Sequence, residues 1–166
     1  YSGRGGYWNK GLDRAINLSR EIYALNENYR LIVIGADENK CGKYLNFPFV
    51  EYRWLIERKN LLKYYSASDF FFSLSRYEGG APTLALSEAI ASECLVICSK
   101  DSEPEILENE KDCLVIDSFE GKEAKKIFGV LGDQKKVLGM KKLAKKKIEK
   151  LSLEKWGKRY FEVLLK

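Results

Sequence analysis

Apolar residues along this chain of 166 residues fall into two alternating patterns. Short uninterrupted apolar runs are typical of strands that are buried on both faces of a sheet. Apolar residues three and four positions apart indicate helices with one buried face. The uninterrupted runs predict strands at residues 30–35, 48–52, 69–74, Leu95–Ser99 and Cys113–Ile116, with residues 1–4 as the end of an earlier strand.

Helical spacing recurs between these runs. It predicts helices at residues 11–26, 56–67, 82–92, 121–131, 134–150 and 153–165, and a short helical turn at 103–107. The polar segment 36–47 is predicted to be a loop. Strands that alternate with helices form parallel sheets with right-handed crossovers. We therefore predict an α/β fold over residues 1–166: one Rossmann-like domain with a parallel sheet of about six strands and helices on both faces.

The residue types and motifs that the sequence lacks exclude several classes of enzyme and metal site. The chain has no histidine, which excludes the nucleophile–histidine pair of many hydrolases. Its four cysteines fit no zinc spacing, and it contains neither a DxD motif nor a P-loop motif. We therefore expect no metal cofactor. A chain with this much core does not need disulfides, so we expect free thiols and a reducing, cytoplasmic environment.

The excess positive charge is local. The net charge is +5, and eight lysines lie between Lys135 and Lys150. A solvated helix face is one explanation. Contact with an anionic membrane surface is the other, and it would place the protein peripherally on the cytoplasmic face of a membrane. We expect no nucleic-acid partner.

The segment 75–91 carries the strongest functional signal. It follows the apolar run at residues 69–74 and predicts a turn that contains glycine and leads into a helix. A helix that begins at the carboxyl end of a parallel strand offers its amino terminus to an anion. Glu78 opens the turn and Glu88 lies in the helix, where both can accept hydrogen bonds from hydroxyl groups. Phosphates and hydroxyls together indicate a sugar nucleotide, whereas a capping Glu and a solvent-facing Glu are the structural alternative.

Two other loops are predicted at the same edge of the sheet. The first holds Arg4 and Lys10 around a flexible glycine-rich turn, which suits a diphosphate. The second holds Arg53 and Trp54, which can stack on a nucleobase. Surface cations and a Trp that closes the sheet edge explain the same residues without a ligand.

At these residues the chain resembles the C-terminal, donor-binding half of retaining glycosyltransferases of the GT-B fold, most closely glycosyltransferase family 4. The resemblance covers nearly the whole chain and includes the segments RLIVIG, LLKYYSASDFFFSLSRYEGG, SEAIASECLVICS and SLEKWGKRYFEVLLK. It implies one half of a GT-B fold that transfers a hexose from a nucleoside-diphosphate sugar without a metal. It also implies that a missing N-terminal half binds the acceptor, so that the isolated chain is inactive or weakly active.

The resemblance assigns roles to single residues. Arg4 and Lys10 match the diphosphate-binding pair, Glu78 matches the residue that contacts the donor hexose, and Glu88 matches the residue that binds the ribose. The backbone of Gly79, Gly80 and Ala81 would line the donor site.

The chain departs from the family pattern at two places. Nine residues separate Glu78 from Glu88, where the family usually has seven. Glu93 and Cys94 stand where the family prefers small residues or glycine. The irregular spacing leaves a second function open, namely a nucleotide-binding or regulatory module of the same fold that has lost catalysis.

Overall fold

The computed structural model describes residues 7–78, 82–152 and 154–155. Strands and helices alternate along this part of the chain, as the sequence predicts. The strands are β1 (Leu31–Ile34), β2 (Val50–Arg53), β3 (Phe70–Ser73), β4 (Leu95–Ser99) and β5 (Cys113–Ile116). The helices are α1 (Leu12–Leu25), α2 (Glu38–Leu45), α3 (Arg58–Ser66), α4 (Leu84–Ala91), α5 (Gly121–Gly132) and α6 (Gln134–Ile148).

All strand pairings between the described strands are parallel. Strand β1 pairs with β2, and β4 lies between β3 and β5. The prediction of an α/β fold with parallel strands is confirmed. The described residues form five strands, paired as a group of two and a group of three, where one sheet of about six strands was expected. The strand end predicted at residues 1–4 and most of the helix predicted at 153–165 lie outside the described residues.

The two faces of the sheet are covered by different helices. In β4, Leu95 and Ile97 pack on one face with residues of α1 and α5. Val96 and Cys98 point to the opposite face, where they pack with residues of α3, α4 and α6. Because successive side chains of a strand point to opposite faces, an uninterrupted apolar run is what a sheet covered on both sides requires.

The prediction of a loop at residues 36–47 is wrong, because residues Glu38–Leu45 form helix α2. The side chain of Asp37 accepts a hydrogen bond from the amide of Asn39 and caps the helix. Cys41 is the one buried residue of α2, so the helix has too few apolar positions to show helical spacing clearly. The turn predicted at 103–107 is present, since the amide of Leu107 donates to the carbonyl of Pro104 at 3.0 Å, and an additional 3₁₀ turn precedes it at Lys100–Ser102.

Helix α6 carries the lysine run, and part of that run is paired within the domain. Lys145 lies 2.6 Å from Glu93, and Lys147 lies 2.6 Å from the buried carboxylate of Asp112. Lys111 and Lys147 both pair with Glu108 and lower the pKa of its carboxyl to about 2. These pairs show that some of the lysines stabilise the domain itself. The membrane contact stays a prediction.

The four cysteines are buried, and their thiols are free, which is the state predicted for the thiols. Burial raises the pKa of the Cys94 thiol to about 11, so this thiol stays protonated at neutral pH. In the part of the chain that the structure describes, no helix combines the length and the apolar composition that crossing a membrane requires.

Helix α4 ends in a turn that glycine would suit better than the residue present. The amide of Glu93 donates to the carbonyl of Ile90, and the amide of Cys94 donates to the carbonyl of Ala89, which is the Schellman arrangement. This geometry requires a left-handed residue, and Glu93 has a φ of 65°. The family preference for glycine near this position therefore has a backbone cause.

We predict that Glu93→Gly raises the melting temperature by about 3 °C, because it relieves the left-handed strain. Thermal unfolding followed by circular dichroism measures the change. Glu93→Ala is the matched control, since it also removes the ion pair with Lys145 but keeps a side chain in the left-handed conformation. An equal gain from alanine would show that the backbone strain is not the cause.

Candidate functional site

Two residues that the sequence singled out separately meet at the carboxyl edge of the sheet. Lys10 precedes α1 and Glu78 follows β3, and their side chains form an ion pair although they are 68 residues apart. The Glu78 side chain is only 16% exposed. The prediction that these two loops share one edge of the sheet is therefore confirmed.

Gly11 makes this meeting possible. It has a φ of 70°, and a Cβ atom at this position would overlap the carbonyl oxygen of Leu74 and lie 2.7 Å from the carbonyl carbon. The start of α1 thus packs directly on the backbone that leaves β3. Only a residue without a side chain allows this approach, and the approach places Lys10 beside Glu78.

Arg76 fastens the same two loops together. Its guanidinium donates two hydrogen bonds, of 2.9 and 2.6 Å, to the carboxylate of Asp13 in the first turn of α1. Its amide donates to the carbonyl of Asn9 at 2.9 Å, and its guanidinium carbon lies 4.4 Å from the centroid of the Trp8 ring. Sequence analysis missed this clamp, because nothing in the sequence links positions 63 residues apart.

The clamp has an electrostatic signature. Burial alone would raise the pKa of the Asp13 carboxyl, but the hydrogen bonds and the positive charge of Arg76 outweigh burial and lower this pKa below its ordinary value. The hydrogen bonds to Asp13 also raise the pKa of Arg76. Both groups are therefore ionised at neutral pH.

A second ion pair lies further along the same segment. Glu88 occupies the second turn of α4, and its carboxylate lies 3.0 Å from the guanidinium of Arg58, the first residue of α3. The Glu88 side chain is 18% exposed, whereas Arg58 is 76% exposed. Sequence analysis identified Glu88 and missed Arg58, which begins the helix after the loop of Arg53 and Trp54.

The start of α4 is well formed. The hydroxyl of Thr83 accepts a hydrogen bond from the amide of Leu86 at 3.3 Å and caps the helix. The amino terminus of α4 therefore lies in the chain between Glu78 and Glu88. The partial positive charge of a helix amino terminus favours an anion at this end.

Buried serines and Arg14 form hydrogen bonds to the ends of β3 and β4 beneath the site. Arg14 donates to the carbonyl of Leu74 at 3.2 Å and pairs with Asp101 at 2.7 Å. The Ser99 hydroxyl lies 3.0 Å from that of Ser102, which also donates to the carbonyl of Ser73. The ends of β3 and β4 are thereby joined beneath the loops that carry Lys10 and Glu78.

The remaining predicted site residues either lie away from the two ion pairs or fall outside the described residues. Arg53 pairs along its own strand, with the carboxylate of Glu51 at 3.8 Å and the carbonyl of Tyr52 at 2.8 Å. Trp54 follows it and is 56% exposed. The structure therefore does not bring Arg53 to either ion pair. The other predicted site residues, Arg4, Gly79, Gly80 and Ala81, lie outside the described residues.

A cavity of about 820 Å³ lies at the opposite, amino-terminal edge of the sheet. Its lining includes Leu31 and Phe70, where β1 and β3 begin, and Leu138 on α6. None of the predicted site residues lines this cavity. Because parallel sheets bind ligands at the carboxyl ends of their strands, we assign the site to the edge with the two ion pairs.

Comparisons with known proteins identify the family and the fold of the chain. Residues 1–150 match the family model described as glycosyl transferases group 1. The fold is similar to the C-terminal domain of a glycosyl transferase group 1 family protein, LpcC, from Francisella tularensis. That domain is 20% identical, with 90% of this chain and 82% of the other covered and a TM-score of 0.71. A search of curated proteins gives no match.

Two longer structures are also similar. A TarM variant from S. aureus, in complex with Fondaparinux, alpha-GlcNAc-glycerol and UDP, is 20% identical, with 94% of this chain and 34% of the other covered and a TM-score of 0.78. The pneumococcal O-GlcNAc transferase GtfA, in complex with UDP and GlcNAc, is 20% identical, with 98% and 35% covered and a TM-score of 0.71. The chain thus spans about a third of these two proteins, and the likeness shows the fold of one half of a GT-B glycosyltransferase, as predicted.

We predict that Gly11→Ala lowers the free energy of unfolding by about 2–4 kcal/mol, because the new side chain is strained and overlaps the backbone of Leu74. Gly139→Ala is the matched control. Gly139 lies within α6 with no atom in the way of a Cβ, so alanine should stabilise the chain by about 0.5–1 kcal/mol. Urea unfolding of the two variants measures both values, and equal effects would contradict the proposed role of Gly11.

We predict that Asp13→Asn destabilises the chain at pH 7 and that this difference disappears at low pH. The folded pKa of Asp13 is lowered, so its stabilising effect is complete above its unfolded pKa and is lost as the pH falls through the folded value. Urea unfolding at pH 7, 4 and 3 measures the change. Glu51→Gln is the control for an exposed pair. A difference that does not depend on pH would contradict the ionic role of Asp13.

Proposed function

Because the chain belongs to the group 1 glycosyl transferases, we propose that it is the donor-binding domain of a retaining enzyme of glycosyltransferase family 4. This enzyme transfers a hexose from a nucleoside-diphosphate sugar to an acceptor such as a glycan or a lipid. One observation carries the proposal. Two partly buried carboxylates, each beside a cation, flank the start of a helix at the ligand-binding edge of a parallel sheet.

The arrangement matches the parts of such a donor. Lys10 and the amino terminus of α4 supply positive charge for the diphosphate. Glu78 and Glu88 accept hydrogen bonds from neutral hydroxyl groups, Glu78 from the hexose and Glu88 from the ribose. The donor would therefore lie with its sugar near Lys10 and its nucleoside near Arg58, where Trp54 and Arg53 can stack on the base.

In this proposal, catalysis is mainly electrostatic. When the bond between the sugar and the diphosphate breaks, negative charge develops on the leaving diphosphate. Lys10, together with Arg4 and the start of α4, stabilises this charge in a partly desolvated site, where fixed cations and dipoles are most effective. The proposal uses no metal ion, because these groups supply the positive charge that a metal would otherwise provide.

Arg58 has a supporting role. Its guanidinium holds the carboxylate of Glu88 at 3.0 Å in a defined orientation. A ribose that binds Glu88 can use the second carboxylate oxygen, so Arg58 and the ribose need not compete.

The acceptor site lies elsewhere in this proposal. The chain spans about a third of TarM and of GtfA, so an N-terminal half would bind the acceptor and complete the active site. We expect the isolated chain to bind the nucleotide without efficient transfer. The presence of UDP in the TarM and GtfA structures makes UDP the first nucleotide to test.

We predict that one of UDP, GDP and ADP raises the melting temperature of the chain, since a ligand at 100 times its dissociation constant stabilises by about 2.7 kcal/mol. Glu88→Gln and Lys10→Met should each weaken this nucleotide by roughly tenfold or more, because each removes a charged partner. Isothermal titration calorimetry gives the dissociation constants.

Glu27→Gln and Lys63→Met are the matched controls, since they remove the same charges from exposed positions away from both ion pairs. If Glu88→Gln and Lys10→Met bind the nucleotide as tightly as the parent chain does, the assigned site is contradicted. Failure of all three nucleotides to bind would contradict the donor-binding function of this chain. Binding by the complete protein without transfer would favour the non-catalytic module.

A further inference from the structure

The loops that bring Lys10 to Glu78 also bring two exposed aromatic rings together. Trp8 is 47% exposed and Tyr77 is 77% exposed, and their ring centroids are 6.0 Å apart with a tilt of 46°. Neither ring belongs to either hydrophobic core. Each ring therefore leaves apolar surface in contact with solvent, and exposed apolar surface of this kind often marks a binding site.

Arg76 holds the Trp8 ring in place, and the Tyr77 ring lies against Trp8. The Arg76 guanidinium covers one face of Trp8, and it also donates a hydrogen bond to the Trp8 carbonyl oxygen. Arg76 is itself fixed by its two hydrogen bonds to Asp13. A side chain fixed before a ligand arrives loses little conformational freedom on binding. The arrangement is thus suited to a ligand and is not explained by local folding.

We propose that Trp8 and Tyr77 form an aromatic platform that binds a pyranose ring of the carbohydrate acceptor. A pyranose presents C–H groups on its face and hydroxyls at its rim. The face of an aromatic ring is negative and attracts such weakly positive C–H groups, while the burial of apolar area adds to the binding. The proposal rests on the proposed donor-binding function, because it places the acceptor at the sugar end of the donor. It adds one contact from this chain to an acceptor that is otherwise bound by the N-terminal half.

The position of the platform favours the acceptor over the donor sugar. Trp8 and Tyr77 lie in the same loops as Lys10 and Glu78, but the rings are exposed where Glu78 is mostly buried. The donor hexose would occupy the inner, polar position. An acceptor hydroxyl must approach the reacting carbon to about 3–3.5 Å, and the platform lies on the solvent side from which it would come. The rings hold the acceptor and take no part in the bond changes.

The size of the platform favours a sugar over a protein. A stable protein interface needs about 800 Å² from each partner, whereas two adjacent rings cover about one or two sugar units. Polar groups lie close in the same loops, since the Arg76 guanidinium contacts the Trp8 ring and Lys10 and Glu78 are close to Trp8 and Tyr77 in the chain. An aromatic surface bordered by hydrogen-bonding groups matches the amphipathic character of a pyranose.

Saturation-transfer NMR tests the platform. The parent chain is mixed with a panel of methyl pyranosides and simple disaccharides, with and without the nucleoside diphosphate that it binds. Competition with a second sugar gives the affinity. We expect at least one sugar to bind in the millimolar range. Trp8→Leu and Tyr77→Ser should each weaken it roughly tenfold, while nucleotide affinity changes less than about twofold.

Phe128→Leu is the matched control, because Phe128 is 42% exposed and lines the cavity at the opposite edge of the sheet. It should leave sugar binding unchanged. If Trp8→Leu fails to fold, Tyr77→Ser decides, since the Tyr77 ring is mostly outside the fold.

The outcomes separate the two proposals. If the parent binds a nucleotide but no sugar, or if Trp8→Leu and Tyr77→Ser bind the sugar as the parent does, the platform is refuted and the donor-binding function stands. If the parent binds a sugar through these rings but no nucleotide, the donor-binding function is refuted. The rings are then a sugar-binding surface but not an acceptor platform.

Discussion

The close contact between Gly11 and the backbone of Leu74 is the constraint on which the candidate site depends. It lets the start of α1 lie directly against the end of β3, with no side chain between them. The two loops at this junction carry Lys10, Glu78, Trp8 and Tyr77. The bidentate pair of Arg76 with Asp13 then fixes the spacing of the loops. One backbone contact and one partly buried ion pair therefore set the geometry of four side chains.

The electrostatics of the site follow from the same packing. Partial burial would make the carboxylates of Glu78 and Glu88 costly if they were left alone, and each has a cation beside it. A polar ligand that enters must therefore exchange these contacts for its own. A ligand with separate anionic and hydroxyl groups can satisfy the cations and the carboxylates together, which is why a nucleoside-diphosphate sugar fits better than a simple anion.

Sequence patterns predicted the sheet well, because a sheet that is buried on both faces needs uninterrupted apolar strands such as Leu95–Ser99. Helix α2 was missed since Cys41 is its one fully buried residue, and only Tyr44 and Leu45 at its end also pack on the core. Lys10 could be identified from its place in a glycine-rich loop, and Glu78 from its place after a strand. Their pairing could not, nor could the Arg76–Asp13 clamp, because both depend on contacts between distant parts of the chain. The left-handed conformation of Glu93 was visible only as a departure from a family preference.

Amide chemical-shift mapping is the most direct test of where the ligand binds. The labelled chain is titrated with uridine, guanosine and adenosine diphosphates, and the amides that move are assigned. Shifts concentrated at Lys10, Gly11, Glu78 and the first two turns of α4, with smaller shifts near Arg58, would support the assigned donor site. Shifts confined to the amino-terminal edge, around Leu31, Phe70 and Leu138, would place the ligand in the opposite cavity and contradict it.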